Sequence, residues 1–208
     1  MIITMPLDLP VAADCGWGQR SFDLLGGSET TGTEQVRPAG PARWTLTLRQ
    51  PELLRASEAG RWQALLVSLR GRVNVLAAYN PIQTQPVGTL RGNLQLAAVH
   101  AAGATTLALS GGTASGTVRA GDQFQIGSGL GTSQTVMAMA DGTASPGGVL
   151  SFAIEPPLRQ GAPKFTPVTW DHPIVYFRRQ GGSGVSWTYD KRGTAVRGMA
   201  IDLLETWS

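Results

Sequence analysis

A break in patterning constrains this chain more than any single motif. From Gly92 to Gly161, about 70 residues and so the span of a small domain, short apolar/polar alternations replace the looser style on either side. Thr117-Val118-Arg119-Ala120-Gly121-Asp122-Gln123-Phe124-Gln125-Ile126-Gly127 is followed by Val149-Leu150-Ser151-Phe152-Ala153-Ile154-Glu155-Pro156-Pro157-Leu158-Arg159. Each run alternates between glycine or proline stops, as half-buried strands do, because successive side chains of an extended backbone point to opposite faces. Residues 92–160 therefore read as a small β module inserted into an outer domain made of residues 1–91 and 161–208. An insertion needs its two ends close together, which a β-hairpin loop of the outer domain supplies.

Within the module, strands are expected at 94–99, 106–109, 123–126, 134–139 and 149–154. Turns at Gly111-Gly112, Ser128-Gly129 and Asp141-Gly142 separate them. Five short strands in so few residues suit a small barrel or sandwich. In the outer domain, Met1-Ile2-Ile3-Thr4-Met5 is extended until Pro6, and Gly26 to Pro41 reads as a long loop or arm, a kind of segment that is usually functional or tied down by a partner. Arg43-Trp44-Thr45-Leu46-Thr47-Leu48-Arg49 places Trp44, Leu46 and Leu48 on one sheet face.

Pro51 and Glu52 favour a helix start. Ala59, Trp62, Leu65, Leu66 and Leu69 then share one helical face, giving a helix near 52–70 that ends at Gly71. Gly60 could divide it, with Ser57 as a second N-cap. Val73, Val75 and Ala77 form a strand before the Tyr79-Asn80-Pro81 turn. Extended segments follow at 173–178, 185–189 and 196–204.

Composition agrees with a β fold. Twenty-seven Gly and 13 Pro with 15% charged residues suit many short strands and turns better than a helical bundle, and 42% hydrophobic residues in 208 can bury a core. The fold class expected is mainly β: a discontinuous β-barrel or sandwich domain with one α-helix, carrying an inserted small β-barrel-like module. The net charge of +3 is spread out: residues 52–91 hold five Arg against two Glu, and residues 161–208 hold six positive against four negative side chains. Neither block is a polybasic tract, so an ordinary solvated surface is expected rather than a nucleic-acid footprint.

Cys15 stands alone, which excludes an intramolecular disulfide or a cysteine metal cluster within one chain. No basic start with an apolar run marks the N-terminus, and no stretch approaches the roughly 18–20 apolar residues of a membrane helix, so no Sec-type export and no membrane insertion are expected.

The search for chemistry returns little. Asp171-His172 could be half of a hydrolytic or metal site, but no partner spacing accompanies it, and before Pro173 it reads as a strand-entry cap. Ser128 and Ser183 lie in Gly-rich turns that do not complete a Gly-x-Ser-x-Gly elbow. Gly127-Ser128-Gly129-Leu130-Gly131 lacks the spacing and the Lys-Ser/Thr of a phosphate loop and links two expected strands, so a turn is expected. No motif selects a catalytic carboxylate pair. No catalytic residue, cofactor or metal is therefore expected, and the chain is read as a non-enzyme.

Among the six tryptophans, Trp44 and Trp62 fall on apolar faces and belong to the core. Trp17, between two glycines, and Trp207, beside the C-terminus, are candidate subunit contacts. Arg178 and Arg179 at a strand end could meet acidic groups of a neighbouring subunit or face water. The only aromatics of the module, Phe124 and Phe152, lie in alternating strands that suggest burial. The module is therefore expected to touch protein rather than sugar.

A resemblance adds to this reading. Val118-Arg119-Ala120-Gly121-Asp122-Gln123-Phe124-Gln125-Ile126-Gly127 followed by Leu150-Ser151-Phe152-Ala153-Ile154-Glu155-Pro156-Pro157-Leu158-Arg159 resembles a small β module that recurs in structural proteins of tailed bacteriophages. The remainder, from Met1-Ile2-Ile3 through Trp44 to Leu48 and the Arg61 to Leu66 helix to Ala200-Ile201-Asp202-Leu203-Leu204-Glu205, resembles a siphophage distal tail protein. The resemblance implies a tail-tube-like β-barrel with one helix, six copies of which close into a ring at the tail tip. It implies assembly in the host bacterial cytoplasm, and tail tube and tail hub proteins as partners, with tape measure and fibre or baseplate proteins as further ones. DNA would pass through the ring without specific recognition. A tail-tube protein, another baseplate protein or a carbohydrate-binding attachment module are the alternatives.

Overall fold

The computed structural model describes residues 1–12, 14–27, 34–51, 54–181, 184, 186–190 and 195–208. The chain begins with β1 (Ile2–Thr4), β2 (Gly16–Gly27), β3 (Glu34–Arg49), β4 (Leu54–Arg55), α1 (Ala56–Ser68) and β5 (Val75–Ala78). It continues with β6 (Gly92–Leu96), β7 (Thr106–Gly112), β8 (Thr117–Val118), β9 (Gln123–Ile126), β10 (Gln134–Ala138), β11 (Gly142–Thr143), β12 (Leu150–Glu155) and β13 (Val168–Thr169). It closes with β14 (Val175–Arg179), β15 (Thr188–Tyr189), β16 (Ala195–Arg197) and β17 (Ala200–Glu205). Among the described residues strands take 46% and a single helix 6%, so sheet faces supply most of the buried surface and the fold is mainly β.

Two six-stranded sheets organise the molecule. The first runs β1-β5-β14-β17-β3-β2, drawing strands from both ends of the chain. Only its β1–β5 pair is parallel. Its core is the face expected from alternation: Trp44, Leu46 and Leu48 of β3 with Ile201 and Leu203 of β17, Leu76 of β5 and Phe177 of β14, all buried. Helix α1 covers that face with Ala59, Trp62, Leu65, Leu66 and Leu69, every one of them buried and at helical spacing. Trp62 is fully enclosed, and its indole N–H is satisfied by the Pro10 carbonyl at 2.6 Å.

The helix starts later than the expected 52–70. Residues 52–53 lie outside the described residues, and Leu54–Arg55 pairs as a strand with β16. Arg55 is the N-cap without a side-chain cap bond, so Ser57 is not a cap, and the helix runs unbroken through Gly60. Packing of the Trp62 face outweighs the propensity cost of one glycine, about 1 kcal/mol. At the other end Asn74 donates to the Ser68 carbonyl at 2.7 Å and fastens the helix C-terminus to the start of β5.

The second sheet runs β13-β9-β10-β12-β7-β6. Its two ends meet: the Leu96 N–H donates to the Thr166 carbonyl and the Phe165 N–H to the Leu96 carbonyl, both at 3.0 Å, and Gln95 bridges Pro167. This nearly closes the sheet into a barrel, which removes the exposed strand edges of an open sheet. Leu96, Leu107, Leu109, Val118, Phe124 and Val136 fill it without exposure to solvent, with Phe152 and Ile154 beside them.

The barrel reaches beyond the expected 92–160. Leu90 lies in its core, and β13, at 168–169, pairs with β9. Gly161 lies inside the barrel, next to the bridge between Ala162 and His100, rather than at its exit, because the last strand is needed to close the sheet. Further differences are local. The 94–99 expectation ends at Leu96, and 196–204 is split at Gly198 (φ 83°) into β16 and β17. Of 185–189, residues 188–189 form β15 and Val185 lies outside the described residues.

Candidate functional site

The 26–41 segment, expected to be a loop or arm, is mostly paired β-structure. Strands β2 and β3 run antiparallel out to Gly27↔Glu34, while β17 accompanies β3 only from Thr45 to Arg49. Beyond Trp44 the two strands form a ribbon that leaves the sheet. Ten residues of β3, 34–43, at about 3.3 Å each make it roughly 33 Å long. Residues 34–41 are all exposed. Glycine- and proline-rich composition hid the pairing from a propensity reading; the apolar Leu24, Leu25 and Val36 were the available signal.

Leu25 pairs directly with Val36, so they share one face, and Leu24 lies on the other; all three are 61–70% exposed. A bulge between Arg20 and Asp23 re-aims the ribbon near its base. There the Arg20 and Arg43 guanidiniums lie 5.3 and 5.5 Å from the Phe22 ring. The ribbon base and the Glu155–Arg159 segment of the barrel enclose a cleft of about 470 Å³, with Asp23, Pro38 and Ala42 on one wall.

Trp17 and Trp207, expected as subunit contacts, are engaged within their own chain. Trp17 belongs to β2, opposite Leu46, with its ring 5.5 Å from Trp44 and 5.8 Å from Phe177. The neighbouring glycine signals close strand packing rather than a loop, since a Cβ on Gly18 would sit 3.2 Å from the Thr45 hydroxyl. The Trp207 ring has the Arg43 guanidinium at 4.5 Å and the Arg159 guanidinium at 4.6 Å, and its N–H donates to Glu205 at 3.0 Å. Arg159 comes from the barrel and the other three residues from the first sheet and its tail, so the cluster is a clasp between the two.

Further bonds cross the same seam. The Trp44 indole donates to the Thr135 carbonyl at 2.8 Å, the Thr135 hydroxyl to the Ile174 carbonyl at 2.9 Å, and the Ile174 N–H to Gln125 Oε1 at 2.8 Å. The Gly127 to Gly131 turn meets the clasp too: a Cβ on Gly131 (φ 82°) would lie 2.8 Å from the Trp207 carbonyl. This gives Gly131 a packing role. Burial raises the Glu205 carboxyl above its ordinary range, against the pull of the Trp44 N–H, the Trp207 indole and the Arg159 and Arg43 charges. The Arg159 guanidinium is pulled down by the same burial and supported by Glu205.

Arg178 does not stand free in water. It donates to the Ser208 carbonyl at 3.1 and 2.6 Å and to the Arg72 carbonyl at 2.9 Å, joining the chain end to the turn after α1. Arg179 donates to the Gly184 carbonyl at 2.6 Å. The Asp171–His172 pair is a 2.8 Å contact whose carboxylate is also held by Gln85 at 2.9 Å. The hydrogen bond from Gln85 is the main reason that the Asp171 carboxyl lies below its usual range. His172 sits at φ 49° with its ring edge-on to Tyr79, 4.8 Å away. Among the described residues no group of three or more His, Cys, Asp or Glu could hold a metal ion, and no helix is long and apolar enough to cross a membrane.

Comparison with known protein families finds no matching family model, and no curated protein matches the chain at a significant level.

Proposed function

We propose that the chain is a non-enzymatic structural protein of the bacteriophage virion: a ring of the distal tail type at the tail tip or baseplate, connecting the tail tube to the tail hub around the DNA channel. The observation that supports this reading is the projecting β2–β3 ribbon. Leu24, Leu25 and Val36 are displayed on it far from either core. An aliphatic side chain contributes about 1.5–3 kcal/mol when fully buried, so Leu25 and Val36 on one face of the ribbon, with Leu24 on the other, suit a neighbour's surface better than water.

The ribbon's edges favour directed contact over indiscriminate pairing. Pro38 and Pro41 remove two N–H donors from β3, which blunts strand addition there. The outer edge of β2 keeps its donors. A one-sided, heterologous contact of this kind closes into a ring if the rotation per copy divides the circle, and otherwise runs on as a filament. Six copies is the number the sequence resemblance implies.

Native mass spectrometry and electron microscopy of purified protein and of tail tips test this reading. A single six-fold layer between tube and hub is the expected result. Repetition along the whole tail would make the chain a tube protein, and density only on peripheral fibres would remove it from the channel. Replacing Leu25 and Val36 by Asp should leave monomer stability within about 0.5 kcal/mol of the parent while abolishing assembly; an intact ring would discard the ribbon as the contact.

A further inference from the structure

Where the barrel closes, β6 and the chain leading into β13 flank an open groove of about 440 Å³. Phe165 stands at one side, 61% exposed, on a backbone with φ 68°. A left-handed conformation costs a residue with a Cβ about 1–2 kcal/mol, which Gly would avoid. Neighbouring hydrogen bonds hold it there: its N–H donates to the Leu96 carbonyl, and Thr166 bonds back to the Pro163 carbonyl through its hydroxyl at 2.7 Å. The fold thus keeps a large aromatic ring in a strained position where it buries little.

Trp170 forms the other aromatic wall. Its indole donates to the Gly92 carbonyl at 2.9 Å, and the Arg91 guanidinium lies 4.8 Å from its ring. Arg91 in turn is spent on the Gly88, Leu90 and Pro86 carbonyls. Asn93 and Gln95, which carry amides, and Thr169, which carries a hydroxyl, also line the groove. Asp171 closes the groove, its carboxylate pinned by Gln85 and His172.

We propose that this groove binds a neutral saccharide. An aromatic ring presented to solvent offers an apolar platform for the C–H face of a pyranose, and it keeps that face out of water. Amides, a hydroxyl and a fixed carboxylate offer both donors and acceptors, which vicinal sugar hydroxyls need because each is itself donor and acceptor. A phosphate-rich ligand would meet the Asp171 charge while Arg91 is already engaged, and the Lys164 ammonium, 4.7 Å from the Phe165 ring, does not line the groove. The groove combines apolar walls with a few convergent polar groups, as ligand sites do. The inference is independent of ring formation and would hold for a monomer.

The test uses the full chain and named probes: glucose, galactose, mannose, rhamnose, N-acetylglucosamine and tri-N-acetylchitotriose, by ligand-observed NMR and calorimetry. At least one should bind with a Kd of about 1 mM or tighter. Phe165→Ala and Phe165→Asn should each weaken it by about tenfold or more, which is about 1.4 kcal/mol. Asparagine suits the left-handed backbone, so the second variant guards against a folding defect. Phe165→Tyr, which keeps the ring, should retain binding, and Asp171→Asn should weaken it. Failure of all six sugars to bind, or binding untouched by both Phe165 replacements, would overturn the proposal. So would hydrogen-exchange protection of residues 92–95 and 165–171 by another virion protein in the assembled tail.

Discussion

Replacing Trp207 by alanine separates two roles that the sequence alone could not distinguish, a subunit contact and an internal clasp. The ring sits 4.5 Å from the Arg43 guanidinium and 4.6 Å from that of Arg159. Each such contact contributes about 0.5–1 kcal/mol at a partly exposed site. The hydrogen bond to Glu205, a buried carboxylate, adds about 1.5 kcal/mol, and the half-buried indole about 1 kcal/mol of apolar burial. Rehydration of the freed arginines offsets part of this total, so Trp207→Ala should cost the isolated monomer about 2–4 kcal/mol, in line with large-to-small aromatic replacements. With a urea m-value of about 2 kcal/mol/M, the midpoint should fall by about 1–2 M. Trp207→Phe keeps a ring for the guanidiniums and loses the hydrogen bond, so about half of that loss is expected. Because Arg159 belongs to the barrel and Arg43 to the first sheet, the alanine variant should also uncouple the two, dividing one unfolding transition into two by circular dichroism and fluorescence. A monomer destabilised by less than about 0.5 kcal/mol, together with loss of assembly, would refute the clasp and return Trp207 to the surface.

Other parts of the structure give further expectations. Asp122, fully buried, accepts the Val87, Gly88 and Arg119 N–H groups at 2.6, 3.1 and 2.8 Å; Asp122→Ala strands three donors at about 1–3 kcal/mol each, so the barrel should lose its cooperative thermal transition. The Glu205 carboxyl is raised in the folded state by burial, so the folded protein holds its proton at pH values where the unfolded chain has released it. Stability from this group is full below the unfolded value and falls as pH rises through the folded one. Glu205→Gln should flatten that part of a urea-midpoint profile taken upward from about pH 4, and an unchanged slope would remove Glu205 as its source. Trp62→Phe removes the donor to the Pro10 carbonyl and should cost about 1–3 kcal/mol, measured by chemical denaturation, while leaving the helix content unchanged.

Local periodicity was enough to locate much of the core. Trp44, Leu46 and Leu48 alternate, Ala59 to Leu69 repeat at helical spacing, and Leu150, Phe152 and Ile154 alternate again; each set is buried as its period requires, because burial of one face of a regular element leaves a record in neighbouring residues. The mainly β class followed from the same record together with frequent glycine and proline. Glycine-flanked Trp17 and the proline-bearing ribbon were misread because their order comes from cross-strand partners far along the chain, which propensity does not register.

What only the tertiary structure decided lies where the two sheets meet and where the barrel ends. Gln123 and Gln125 beside Phe124, and Thr135 beside Val136, look like solvent-facing partners, and Gln134 opens β10, yet all four are buried. Several bond to atoms distant in the chain, as Gln125 does to Ile174 and Gln134 to Pro157 and Arg159. A polar residue opposite an apolar one fits water or a second body equally well, and only packing selects between them. The groove beside β6 has the same origin. The sequence placed Phe165 and Trp170 outside the module, and closure of the sheet by its last strand set both beside β6. Residues about 70 positions apart become one surface because barrel closure is a property of all six strands at once.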